Sequence, residues 1–374
     1  MDADKTEITI SSARTHTVTV TGYGSGGEGI ARLGDGRVVF VRNAAREDVL
    51  EVTLTKDRPR SAHAEISRIL VRSPYRIEPD CPYYPECGGC DFRHITYAEE
   101  LEAKLQRVND ALHRIGGLCA RAAHILSTGK TEGYRNKAVL HSDGAAFGYY
   151  QAQSHDIIPI DRCLLLKDDL NNALKDIKRS GDITLSSGRN GLSQPLEEEL
   201  DNLVFQISGF FQINTGAALL LYNKVREYAA MSGDEALIDL YCGVGAITLF
   251  VGRDAGYALG VEQNPAAVET ARENARRNNL SHIEFICADA SSWEANIPSS
   301  DCVIADPPRN GLSAGTLRKI IELSPKRIVY ISCDPATLAR DLRGLDGYTV
   351  KDICAVDMFP RTANVECCCL LVKT

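Results

Sequence analysis

Residues 236–331 alternate short apolar runs with stretches of helical periodicity, and that alternation limits the fold more than any other feature of the chain. Runs at 236–241, 257–262, 283–287, 302–305 and 327–331 read as strands, with helices between them. Such a βα succession predicts a doubly wound, Rossmann-like α/β sheet with helices on both faces. Open α/β sheets hold their ligands beyond the carboxyl ends of the strands, so the residues that follow each run are the candidates for function.

Those residues are polar. The first run leads into DLYCGVG, residues 239–245, where Gly243 and Gly245 permit close backbone approach at a helix start. The second ends on Glu262, a residue type suited to a ribose diol, and the third is followed by Asp289. A dinucleotide fingerprint would need a further glycine where Thr248 stands. Asp239, Glu262 and Asp289 would repel a pyrophosphate and favour a cationic, adenosine-bearing sulfonium, which points to S-adenosyl-L-methionine. The fourth run ends in DPPR, residues 306–309, with Asp306 at the carboxyl edge and two prolines stiffening the loop.

The fifth run hands over to a helix at Cys333. Pro335 suits the first turn of that helix, which should run to Leu342. A thiol there is expected to be favoured as thiolate by the helix dipole; the alternative is a buried structural cysteine. Glu366 precedes the apolar residues 367–372. A buried margin would raise its pKa and suit it to proton transfer, whereas the alternative is a surface position ahead of an edge strand.

The 374 residues leave room for two or three domains. Residues 1–70 carry strands at 15–21, 36–42 and 49–55, with a glycine-rich bend at 22–29, which suggests a small five-stranded OB-like β-barrel. Within it GGEGIAR, residues 26–32, resembles the TRAM domain found on RNA-modifying enzymes. Acidic and basic residues balance in this segment, so any RNA contact needs a local patch such as Lys56, Arg58 and Arg60. A solvated rim is the equal alternative.

Residues 71–205 form a central, α+β segment. Cys81, Cys87 and Cys90 follow a C-x5-C-x2-C spacing, and Cys163 offers a fourth thiol. Four thiolates suit zinc or an iron–sulfur cluster, and the uneven spacing leans towards the second. A packing helix over 95–117 should open with a capping box at Thr96 and Glu99. Arg135 and Lys137 share one face of the next strand, to bind phosphate or to face solvent.

The start of the chain lacks a basic-then-apolar leader pattern, and no run of about 18 apolar residues exists. A cytoplasmic protein without a membrane span is expected, whose thirteen cysteines point to metal or catalysis before disulfides. The net charge of −8 argues against a wholly basic nucleic-acid binder, but not against a local basic surface.

Taken in order, FQIN (211–214), DLYCGVG (239–245), DPPR (306–309), SCDPATL (332–338) and PRTANVE (360–366) resemble the RNA uracil-5 methyltransferases over nearly the whole chain. The resemblance implies a TRAM domain (1–70), a central iron–sulfur domain (71–205) and a methyltransferase domain (206–374). It further implies a 4Fe-4S cluster on Cys81, Cys87, Cys90 and Cys163. Gln212, Tyr241, Glu262 and Asp306 become cofactor-site residues, Cys333 the nucleophile and Glu366 the base. RNA is the implied partner, with no obligate protein partner; 23S rRNA is favoured and the T-loop uridine of tRNA is the alternative. A non-catalytic RNA-binding protein with a vestigial methyltransferase domain is the reading from another class. The chain departs from the family where Arg361 and Asn364 replace a frequent His, and where Asp334 replaces a frequent Asn.

Overall fold

A computed structural model describes residues 15–144, 146–177, 180–295, 297 and 300–374. The first fourteen residues of the expected N-terminal domain lie outside the described residues. The chain divides into two compact units, one of residues 1–85 and 90–103, the other of residues 86–89 and 104–374.

The smaller unit is built on a six-stranded sheet. In spatial order its strands are Thr15–Thr19, Val49–Asp57, Ser61–Val71, Val38–Val41, Gly29–Arg32 and Gly22–Tyr23. Neighbours are antiparallel except for Val38–Val41 with Ser61–Val71. Alternate residues such as Val39, Val41, Leu50 and Val52 face a shared core, as period-two patterning requires. There are six strands where the sequence suggested five. Ser61–Val71 was not legible because its pairing with Val49–Asp57 shifts register three times, which breaks the alternation. Gly29 is sterically required: a Cβ there would lie 2.7 Å from Ala44 Cβ and 2.9 Å from Val20 Cγ1.

Helix Tyr97–Arg114 is capped by Thr96, whose hydroxyl accepts from Glu99 N at 3.3 Å. The reciprocal half of the expected box is absent. The Glu99 carboxylate instead accepts two bonds of 2.8 Å from the Arg46 guanidinium.

The larger unit holds an eight-stranded sheet in the order Ile283–Cys287, Tyr257–Glu262, Ala236–Leu240, Cys302–Ala305, Arg327–Ser332, Glu366–Lys373, Tyr348–Val356 and Ile125–Leu126. The first five are mutually parallel, and Glu366–Lys373 runs antiparallel between its two neighbours. Successive residues alternate between two cores, Leu237, Ile304 and Val329 on one face and Ile238, Val303 and Ile328 on the other. Both faces are covered, so the strands read as unbroken apolar runs. The strand order reverses between Ala236–Leu240 and Cys302–Ala305, which opens a crevice at their carboxyl ends.

The same unit contains a four-stranded antiparallel sheet, Ile157–Pro159, Phe147–Tyr150, Lys137–Ser142 and Gly181–Ser186, and a hairpin of Leu196–Leu200 with Leu203–Ile207. Among the described residues no helix is long and apolar enough to cross a membrane.

Candidate active site

Five strand ends and one antiparallel strand supply the site. Strand Ala236–Leu240 leads into a turn where Tyr241 takes a left-handed φ of 65° and both Tyr241 N and Cys242 N donate to Val261 O. Gly243 (φ 55°) and Gly245 (φ 81°) follow, and Gly245 caps helix Ala246–Gly252. A Cβ at Gly245 would lie 2.8 Å from both Leu249 Cδ1 and Phe285 Cζ, so the second glycine answers steric need as well as backbone freedom.

Three acids face this turn in different ways. Asp239 is buried; Thr248, at the position where a dinucleotide site would have glycine, donates its hydroxyl to Asp239 Oδ2 at 2.6 Å. Asp239 Oδ1 is buried with no hydrogen-bond partner. Burial first, with help from Asp306 and Glu262, pushes this carboxyl up to about 7. Glu262 Oε2 accepts from Gly243 N at 3.1 Å and its Oε1 from Asn264 N at 2.8 Å, so the carboxylate is held against the glycine turn by backbone. Asp289 is exposed and accepts from Ser291 N and Oγ, bonds that hold its carboxyl below the ordinary value. Tyr241 Oη pairs with Thr316 Oγ1 at 2.9 Å. Gln212 is buried, and its carbonyl accepts from Asn136 Nδ2 at 2.9 Å.

Cys333 follows strand Arg327–Ser332 and is half-buried, with Glu366, Arg309 and Asp306 as its charged neighbours. The ladder between Arg327–Ser332 and Glu366–Lys373 ends at the pair Ser332–Cys367, which sets Cys333 and Glu366 across from one another just past its end. Glu366 is only 3 % exposed, and it sits at the start of an interior strand rather than ahead of an edge. Burial first, and the nearby Asp306 next, raise Glu366 well above the ordinary carboxylate range, while Arg309 opposes them. Desolvation pushes Asp306 to about 7.

The expectation that a helix dipole favours the Cys333 thiolate does not hold. Burial, Glu366 and Asp306 push the thiol up to about 11, and only Arg309 pulls the other way. Asp334, next in the chain, caps the helix that follows. Its carboxylate Oδ1 accepts from Ala336 N at 2.7 Å and Thr337 N at 3.1 Å, so the amides at the start of helix Pro335–Leu342 are already satisfied by a negative charge.

Three contributors were given no role from the sequence. Tyr222, on helix Thr215–Ala229, is buried and raised first by burial and then by Asp306, Asp239 and Glu366, so it borders the acid cluster. Arg309 lies in a recognised motif but was given no role there. Asn214 is a scaffold residue: its Oδ1 accepts from Ala217 N as the helix cap and its Nδ2 donates to Met358 O at 3.2 Å. A cleft of about 240 Å³ beside this motif is lined by Asn136, Lys137, Ser187 and Phe211. A larger one, about 650 Å³, lies on edge strand Ile283–Cys287; no candidate residue lines it, and its Arg272 and Arg276 are paired with Glu269 and Glu273.

Of the cluster thiols, Cys87 and Cys163 belong to the larger unit, where both lie near the hydroxyl of Tyr149. Cys163 is braced by Asn171, which accepts from Cys163 N at 2.9 Å and donates to Cys163 O at 3.0 Å. Cys81 and Cys90 belong to the smaller unit, where Cys90 sits beside the buried Arg93. Among the described residues no three His, Cys, Asp or Glu side chains converge as a metal-holding group.

Family models match the chain in three places: a TRAM domain at residues 13–67, a methyltransferase domain at 237–321 and tRNA (uracil-5-)-methyltransferase at 295–374. A Bacillus cereus protein named as an uncharacterized RNA methyltransferase is 31 % identical, over 93 % of this chain and 94 % of its own length. A Clostridium tetani protein of the same name is also 31 % identical, over 97 % of each. The chain belongs to a family of RNA methyltransferases. Within this RNA methyltransferase the TRAM match overlies the six-stranded sheet, and the uracil-5 match contains Asp306, Arg309, Cys333 and Glu366. The Pyrococcus abyssi tRNA (uracil-54, C5)-methyltransferase, solved with S-adenosyl-L-homocysteine, shares the fold at a TM-score of 0.75 and 24 % identity, over 95 % of this chain and all of that one.

Proposed function

We propose that the protein transfers a methyl group from S-adenosyl-L-methionine to carbon 5 of a uridine in RNA, with Cys333 as nucleophile and Glu366 as base. The observation that carries this reading is the meeting of Cys333, Glu366, Asp306 and Arg309 at the end of one strand pair. A stacked uracil cannot be reached at its C5–C6 edge, so the target would be unpaired or flipped.

The cofactor pocket would be formed by Gln212, Tyr241, Glu262, Asp306, Asp239, Gly243, Gly245 and Asp289. The unpartnered Asp239 Oδ1 and the acids around the glycine turn suit a cation. When bound, S-adenosyl-L-methionine supplies an electrophilic methyl and a positive charge. Cys333 sulfur adds to C6 of the ring, which makes C5 electron-rich and able to take the methyl. Glu366 removes the C5 proton, the electrons of that C–H bond restore the C5–C6 double bond, and the sulfur leaves. Burial raises both groups, so each must ionise before it acts: Cys333 releases its thiol proton to solvent and adds as the thiolate, Glu366 takes the C5 proton as the carboxylate, and Arg309 is the cation that eases both ionisations.

Cys81, Cys87, Cys90 and Cys163 would hold a 4Fe-4S cluster in a structural role. The thiol-only donor set and the approach of Cys87 and Cys163 to Tyr149 support this assignment.

Ribosomal RNA, of the 23S type, is the substrate we favour; the name of the matching family model supports tRNA as a second reading. The test is a trap. With RNA containing 5-fluorouridine, C5 carries no removable proton, so wild-type protein should form an adduct mapped to Cys333, and Cys333→Ala should form none. Methylation of purified rRNA and tRNA followed by nucleoside mapping separates the substrates. Full activity in Cys333→Ala would overturn the mechanism.

A further inference from the structure

The nucleophile and the base are not joined by the sheet. The last ladder pair is Ser332–Cys367, so the turn of Cys333 and Asp334 and the segment 357–365 leading to Glu366 lie beyond backbone pairing between those two strands. A helix from elsewhere in the sequence spans that gap. On helix Tyr97–Arg114, Lys104 and Arg107 are three residues apart and share a face. Lys104 Nζ donates to Asp357 Oδ1 at 2.6 Å and to Phe359 O at 3.1 Å, which fixes the start of the segment. Arg107 Nη1 donates to Ala363 O at 2.7 Å, three residues before Glu366. Its Nη2 lies 4.0 Å from Asp334 Oδ2, next to Cys333.

We propose that Arg107 is a positioning residue that sets Glu366 against Cys333, an inference that rests on the roles given to those two above. One planar guanidinium reaches both sides of the gap, and a fork of fixed shape transmits position where a flexible lysine would not. Asp334 divides its work: Oδ1 caps the helix, while Oδ2 is the oxygen nearest Arg107. An asparagine at 334 could keep the cap but would carry no charge for Arg107, which gives this chain's departure from the family pattern a physical purpose. Loss of the tie should affect proton removal from C5 more than sulfur addition at C6. The first needs Glu366 placed over the ring; the second needs only Cys333.

The test compares full-length wild type, Arg107→Gln, Asp334→Asn and the double variant. Sulfur addition and methyl transfer are read from the rate of adduct formation with 5-fluorouridine RNA, and turnover from methylation of ordinary RNA. Arg107→Gln should form the fluorouridine adduct within about twofold of wild type while turnover falls about 10- to 100-fold, the scale of a misplacement near 1 Å. A denaturation-stable adduct of methylated, ordinary RNA should then accumulate. Asp334→Asn should change the same ratio in the same direction, and the double variant should be no worse than Arg107→Gln, because both break one link. Unchanged turnover, a parallel fall in both rates, or additive losses would overturn the proposal. A wild type that forms no fluorouridine adduct through Cys333 would instead overturn the mechanism beneath it. Should Arg107→Gln fail to fold, Asp334→Asn alone decides, since its cap is preserved.

Discussion

Replacing Lys104 by Met should unfold the larger unit at markedly lower urea. Lys104 and Asp357 are both fully buried and 2.6 Å apart, so the substitution removes the ammonium from a carboxylate that cannot reach water. Breaking such a pair from one side costs about 3–5 kcal/mol, because the remaining charge stays desolvated. With a denaturant slope of about 3 kcal/mol per molar urea, the midpoint should drop by about 1–1.7 M. Trp293, the sole tryptophan, is buried in the methyltransferase sheet's core and reports this unit by fluorescence. The double variant Lys104→Met with Asp357→Leu removes both charges and fills the space, and should recover most of the loss. A midpoint within about 0.3 M of wild type for the single variant, or a double variant no more stable than the single one, would refute the reasoning.

Gly245→Ala should abolish cofactor binding and methylation, measured by isothermal titration and turnover, because φ is 81° and the new methyl would meet Leu249 and Phe285 at 2.8 Å. Stability should fall between about pH 4 and pH 7. Asp239 and Asp306 rise from an ordinary 3.8 to about 7 in the folded protein, so their stabilising contribution is complete below the unfolded value and is lost as pH climbs through the folded one. Asp239→Asn should flatten that slope in urea midpoints taken across the range, and an unchanged slope would count against the shift. Anaerobically purified protein should contain about four irons per chain, and Cys163→Ser should lower that content while the fluorouridine adduct of the wild type survives chelation. Iron-free wild type would remove the cluster assignment.

The five parallel strands were legible because each is buried on both faces, and an unbroken apolar run such as 302–305 needs no partner to be recognised. Helix Pro335–Leu342 was legible from Pro335, and the glycine turn from its spacing. Strands Gly181–Ser186 and Leu196–Leu200 were missed. The second reads LEEEL, with Glu198 buried and 3.5 Å from Lys167, a pairing no local pattern announces. Ordered motifs marked Cys333, Glu366 and Asp306 as chemistry, since residue type and position beyond a strand are local facts.

Their protonation was not a local fact. A helix start beside Cys333 promised a thiolate, but that sulfur is raised first by burial and then by Glu366 and Asp306 from other strands. The chain alone determined which side chains stand at the strand ends, because periodicity and turn chemistry act over a few residues. Only the tertiary structure decided what those side chains feel, because desolvation and Coulomb interaction depend on neighbours as remote in sequence as Asp306 is from Asp239 and Glu366.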